Sequence, residues 1–135
     1  MSSRHRAREL VLKAMYAFEQ GWQSKEDIRL SIIDNSGLDN NSIGFAMALF
    51  DNVVDNLKQI DKYITKLATN WRLDRIAIVD KNILRIAITE VEYMPDVPMK
   101  VAINEAIELA KTYSTLESAS FVNGILDRAL HDKGH

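Results

Sequence analysis

The sequence contains no cysteine, which excludes disulfides, thiol nucleophiles and thiolate metal sites and leaves burial alone to hold the fold. Proline occurs twice and glycine five times, too little turn material for an all-β sandwich or barrel of many short strands. Neither sign of charge dominates, with 17 Lys and Arg against 19 Asp and Glu, so indiscriminate coating of nucleic acid is not expected. Long apolar runs are absent too. The longest, Phe45 to Phe50, falls far short of the roughly 20 residues a bilayer crossing needs, and the polar stretch Met1 to Arg8 has no signal-peptide core. A soluble, cytoplasmic protein with no membrane partner is expected.

What is present is an ordinary globular composition, 47% hydrophobic and 27% charged over 135 residues, which predicts one compact domain. The net charge of −2 conceals an asymmetry. Arg4, Arg6, Arg8 and Lys13 stand against Glu9 alone in the first 13 residues, +3, which leaves −5 on the rest. A basic head on an acidic body would meet a polyanion at one place.

The hydrophobic periodicity is helical throughout, so the fold class is all-α. Leu10, Val11, Ala14, Met15 and Phe18 form one face of a first helix that Gly21 ends. Ser24 with Asp27 in the first turn opens a second, with Ile28, Ile32 and Ile33 inward until Asn35-Ser36-Gly37. A third starts near Asn41 or Ser42, and the apolar spacing to Ala68 fits one long helix or two in tandem. At Asn70-Trp71-Arg72-Leu73-Asp74 the pattern resets. Asp74 is the expected cap of a helix that runs to Tyr93, where Pro95 and Pro98 forbid continuation. That helix is apolar on most of its circumference and reads as the central pillar. Met99 to Tyr113 forms the next, with Glu108 and Lys111 at ion-pairing spacing on an outer face that also takes Glu105. A polar loop, Ser114 to Ser120, leads to a last helix through Phe121, Val122, Ile125, Leu126 and Leu130, in which Gly124 is tolerable if it admits a close backbone.

Chemistry-bearing residues are poorly placed for catalysis. His5, His131 and His135 lie near the termini, where they read as surface histidines, and Glu105 and Glu108 lack the Glu-x-x-His spacing of helical di-iron sites. No Gly-rich phosphate loop or nucleophile elbow occurs. No catalytic residue, metal site or cofactor is therefore expected. The stronger constellation is Arg4-His5-Arg6-Ala7-Arg8, whose guanidiniums can engage successive phosphates, although short basic ends also occur as solvated charge clusters. Phe121 can stack on a base or serve as the first core residue of its helix, and Tyr16 and Trp71 are ambiguous in a similar way, each able to present a polar edge at an interface while burying its ring.

The strings Arg6-Ala7-Arg8-Glu9, Asp80-Lys81-Asn82-Ile83-Leu84-Arg85-Ile86-Ala87, Val97-Pro98, Val101-Ala102-Ile103-Asn104-Glu105-Ala106-Ile107-Glu108-Leu109-Ala110-Lys111 and Phe121-Val122-Asn123-Gly124-Ile125-Leu126-Asp127 together resemble the NusB family of transcription antitermination factors. The resemblance covers essentially the whole chain. It implies two perpendicular three-helix bundles sharing one compact domain, here about 1–70 and 71–135. The related domain of ribosomal RNA cytosine methyltransferases is followed by a catalytic domain, so no methyltransferase activity is expected here.

By the same resemblance the function is non-enzymatic: binding of boxA RNA together with NusE, a small ribosomal subunit protein, and action on the RNA polymerase elongation complex with other Nus factors to support ribosomal RNA transcription. Carried over by position, Arg4, Arg6 and Arg8 would contact the RNA backbone, Phe121 a base, and Glu117 the edge of the RNA surface. Tyr16 and Asp80 would face the protein partner, though Asp80 could instead serve a neighbouring helix. The arginine run is shorter than in many relatives, so about three neutralised phosphates predict a salt slope near −2 and weak binding by the chain alone. Some relatives form homodimers that cover the RNA face, and the sequence leaves monomer and homodimer both open. The alternative is a helical protein-interaction adaptor without sequence-selective RNA binding.

Overall fold

The computed structural model describes residues 3–21 and 23–133; the Met1-Ser2 start and His135 lie outside the described residues. These residues are all-α: α1 (Ser3–Gln20), α2 (Lys25–Ile28) continued by a π-helical turn (Arg29–Asp34), α3 (Asn40–Asp55), α4 (Leu57–Leu67), a 3-10 turn (Leu73–Arg75), α5 (Ile78–Tyr93), α6 (Met99–Tyr113) and α7 (Leu116–Asp132). Among them no helix is long and apolar enough to cross a membrane.

Local chemistry sets the boundaries. Gly21 ends α1 at a φ of 72°, in the region that favours glycine. The Ser24 hydroxyl accepts from the Asp27 N–H at 3.2 Å, as its spacing predicts. Asp39 caps α3 by accepting from the Ser42 N–H at 2.8 Å, which holds its carboxyl below the usual range and starts the helix at Asn40. At Asn56 the side-chain amide donates to the Asn52 carbonyl at 2.9 Å and the backbone leaves the helical region, so the tandem arrangement of α3 and α4 is the observed one.

Three local expectations need correction. Asp74 does not cap the pillar: it sits in the 3-10 turn, paired with Arg72 at 2.9 Å, and α5 opens four residues later without a side-chain cap. The Ser114 to Ser120 stretch is mostly helix, because Thr115 Oγ1 accepts from the Ser118 N–H at 2.9 Å and starts α7 at Leu116. Gly124 admits no close backbone, since a Cβ built there meets nothing within 4 Å.

The pillar reading holds. Every residue from Asn82 to Glu90 is buried, with α1, α3, α4, α6 and α7 all packed against α5. α1 and α5 run antiparallel: Arg8 meets Glu90, whereas Glu19, three turns on, meets Lys81 at 3.2 Å and also Arg85. Buried Arg85 donates from Nε and Nη2 to Asp61 at 2.8 and 2.9 Å and from Nη1 to Asn82 and Glu19. Desolvation alone would lower its pKa, but Asp61 and Glu19 more than offset that and raise it, so the cation stays fixed between α1, α4 and α5.

Candidate nucleic-acid interface

The basic head divides by burial. Arg4 and Arg6 are exposed, Arg4 with its guanidinium 4.5 Å from the Phe45 ring centroid. Arg8, one turn beyond Arg4 on the same stripe of α1, has its guanidinium 5.1 Å from the same ring centroid but is only 2% exposed. It forms hydrogen bonds to Glu90 at 2.7 to 3.1 Å and approaches Glu105 at 3.5 Å. The expectation that Arg8 touches RNA is therefore corrected: its charge is committed to carboxylates inside the fold, where no phosphate reaches. His5 is corrected in the same way. It is 7% exposed rather than a surface residue, with Nδ1 2.5 Å from a Glu105 oxygen. Glu105 thus turns toward α1, while Glu108 and Lys111 make the predicted outer pair at 3.7 Å.

Phe121 lies at the opposite end of the pillar. Its ring meets Trp71 edge to face, with centroids 5.7 Å apart and planes at 72°. The pair lines a cavity of about 260 Å³ with Arg75, Ile76, Ala77, Asp80, Thr115, Glu117 and Ser118. Trp71 is 51% exposed and Phe121 half-buried, so ring surface remains open beside polar groups. Glu117 is exposed in the first turn of α7. Asp80, in the first turn of α5, is 6% exposed and lines this cavity. Tyr16 instead lines a smaller groove of about 160 Å³ with Leu12, Lys13, Val79, Asn82 and Tyr113. There the Tyr113 hydroxyl donates to Glu9 at 2.7 Å, and burial, followed by Glu9, pushes the phenol up to about 12. Among the described residues no group of three or more His, Asp or Glu side chains is placed to hold a metal ion.

The NusB family model matches residues 5–131, nearly the whole chain. The chain belongs to the NusB family. It is similar to the transcription antitermination protein NusB of Chloroherpeton thalassium, 44% identical over 131 residues that take in 96% of this chain and 62% of that protein, so it spans less than two thirds of that relative's length. The solved structure of T. maritima NusB superposes with a TM-score of 0.85 at 37% identity, over 95% of this chain and 90% of that one. A crystal structure of antitermination factors NusB and NusE in complex with dsRNA shares the fold, with a TM-score of 0.85 at 22% identity over 95% and 96% of the two chains.

Within this NusB-family fold the expected RNA residues form two groups rather than one. Phe121 and Glu117 line or rim the cavity where Asp80 opens α5, and Arg4 and Arg6 lie toward Glu90 near its other end. Ten residues of helix separate Asp80 from Glu90, about 15 Å. Tyr16 and its groove lie where α1 faces Val79 and Asn82, beside Asp80 in sequence at the start of α5. Trp71 was ambiguous by sequence and Arg75 gave no signal beyond its charge; a large aromatic inside the polar stretch Asn70 to Arg72 was the one readable clue.

Proposed function

We propose that this chain is a non-enzymatic RNA-binding antitermination factor that takes single-stranded boxA RNA together with NusE and supports ribosomal RNA transcription on the RNA polymerase elongation complex, with other Nus factors. The observation that carries the reading is the Trp71–Phe121 pair, two rings held edge to face at an open cavity in a family whose relatives are antitermination proteins. Unstacked bases find their sites on exposed aromatic surface of this kind. Arg4 and Arg6 position the strand through its phosphates without reading sequence. With Arg8 buried, two neutralised phosphates give a salt slope of about −1.4, so affinity at physiological salt depends on a second protein that adds contacts. The apolar groove at Tyr16 supports that protein's docking beside the strand, and a structure of the same fold holds NusE and dsRNA.

The test is fluorescence anisotropy of a short boxA RNA and a scrambled control, titrated with the chain alone and with equimolar NusE at two salt concentrations. Selective binding that NusE strengthens is expected. Equally weak binding of both RNAs, unchanged by NusE in a folded sample, would leave the protein-interaction adaptor as the better reading.

A further inference from the structure

Asp80 is the one carboxylate of the pillar's first turn, and it has no hydrogen bond or ion pair to any described residue. Its Oδ1 is buried without a partner, although the residue lines the Trp71–Phe121 cavity. A buried acceptor left unsatisfied is costly, and most such groups in folded proteins find a donor. The dipole of α5 favours negative charge at this position but supplies no hydrogen bond to Oδ1. The other charged groups on the cavity are Arg75 and Glu117, and its apolar lining is the two rings with Ile76 and Ala77. At about 260 Å³ the space is below the 300 to 1,000 Å³ typical of drug-sized ligands and suits a single base.

The donor set is selective among bases. Guanine presents N1–H and N2–H side by side, a pair that matches a carboxylate, and next to them O6 and N7, a pair that matches a guanidinium. Uracil offers one N–H flanked by two carbonyl oxygens, and adenine and cytosine offer an amino group beside a ring-nitrogen acceptor. Each would set an acceptor against Asp80. We infer that the Trp71–Phe121 cavity is a guanine-selective subsite, in which Asp80 accepts from N1–H and N2–H of an unstacked guanine and Arg75 donates to O6 and N7. This rests on the RNA-binding reading above and adds the base that the site selects. The outer torsion of an aspartate is broad, so a small rotation brings Oδ1 to the base.

The experiment uses the full chain, by itself and with equimolar NusE, and labelled oligouridine, plain or with one central guanosine, inosine or adenosine, followed by anisotropy at low and at physiological salt. One guanosine should tighten binding about tenfold over oligouridine, and inosine, which lacks the N2 amino group, should recover only part of that. Asp80→Asn should abolish the preference while leaving oligouridine affinity equal or higher, because a negative charge is removed; a role confined to the helix dipole would change stability and not this ratio. Arg75→Ala, at an exposed position, should also reduce the preference and serves if Asp80→Asn fails to fold. If all four strands bind equally, the guanine assignment is overturned and RNA binding stands. If none binds, both fall. A guanosine preference that survives in folded Asp80→Asn also overturns the assignment.

Discussion

Arg8 and Glu90, 82 residues apart in sequence, are joined by three hydrogen bonds: Arg8 Nε donates to both carboxylate oxygens at 2.9 and 3.1 Å, and Nη2 to one of them at 2.7 Å. Burial pushes the Glu90 carboxyl up while Arg8 opposes that shift. Because the two side chains are 2% and 1% exposed, removing either leaves the other charged and buried. Arg8→Ala and Glu90→Ala should each destabilise the fold by about 3 to 5 kcal/mol, and the double variant by less than their sum. Urea unfolding measures all three. Single losses within a few tenths of a kcal/mol would mean that the pair is not formed in solution.

Arg6 provides the contrast within the same basic run. It is exposed, so Arg6→Ala should change stability by less than about 0.5 kcal/mol. Its effect should appear in the salt dependence of RNA binding, where one lost phosphate contact makes the slope shallower by about 0.7. An unchanged slope would remove Arg6 from the interface.

Phe121→Ala should weaken binding of boxA RNA by about 1 to 3 kcal/mol, the usual worth of one base stacked on an aromatic ring. Glu117→Asn should act in the opposite direction, since it takes a negative charge from the cavity rim without shortening the side-chain cap at Thr115. Parallel anisotropy titrations would show both effects, and equal affinities for wild type and Phe121→Ala would place the RNA elsewhere.

Gly124 sits in the interior of α7, exposed, with open space where a Cβ would lie and no positive φ. Gly124→Ala should therefore stabilise the protein by about 0.5 to 1 kcal/mol through reduced freedom of the unfolded chain. A raised denaturation midpoint at constant slope is the expected signature.

The Tyr113 phenol has a folded pKa of about 12 against an ordinary 10, and a raised pKa means that the fold favours the neutral, donating form. The Glu9 contact thus contributes fully below pH 10 and is lost as pH rises through about 12. In an absorbance titration, Tyr113→Phe should delete one tyrosine from the late phenolate step and none from the ordinary one. Deletion from the ordinary step would show that the contact is absent.

Helices were legible because stripes such as Leu10, Val11, Ala14, Met15 and Phe18 repeat within one element, and caps such as Ser24 act over three residues. Thr115 follows the same rule as Ser24 and was readable in principle, yet the polar run after it outweighed it. Arg8, His5 and Glu105 were not legible. A charged residue defaults to the surface, and nothing local to residues 4–8 announces partners on α5 and α6. The site was legible in part: Phe121 and Glu117 are expected at an RNA surface and Asp80 at a protein partner, but that the three share one cavity depends on how the starts of α5 and α7 pack, which no spacing encodes.

Because α5 is packed by helices from both halves of the chain and pinned by Arg85 to Asp61 and Glu19, the two ends of the pillar draw on one folding equilibrium. Occupancy of the aromatic cavity by a ligand that ignores the unfolded chain protects α1 and α3 from unfolding as well, by mass action and without any motion passing between them. A protein docked along α1 protects the cavity equally. Each partner then lengthens the folded lifetime of a surface it never touches.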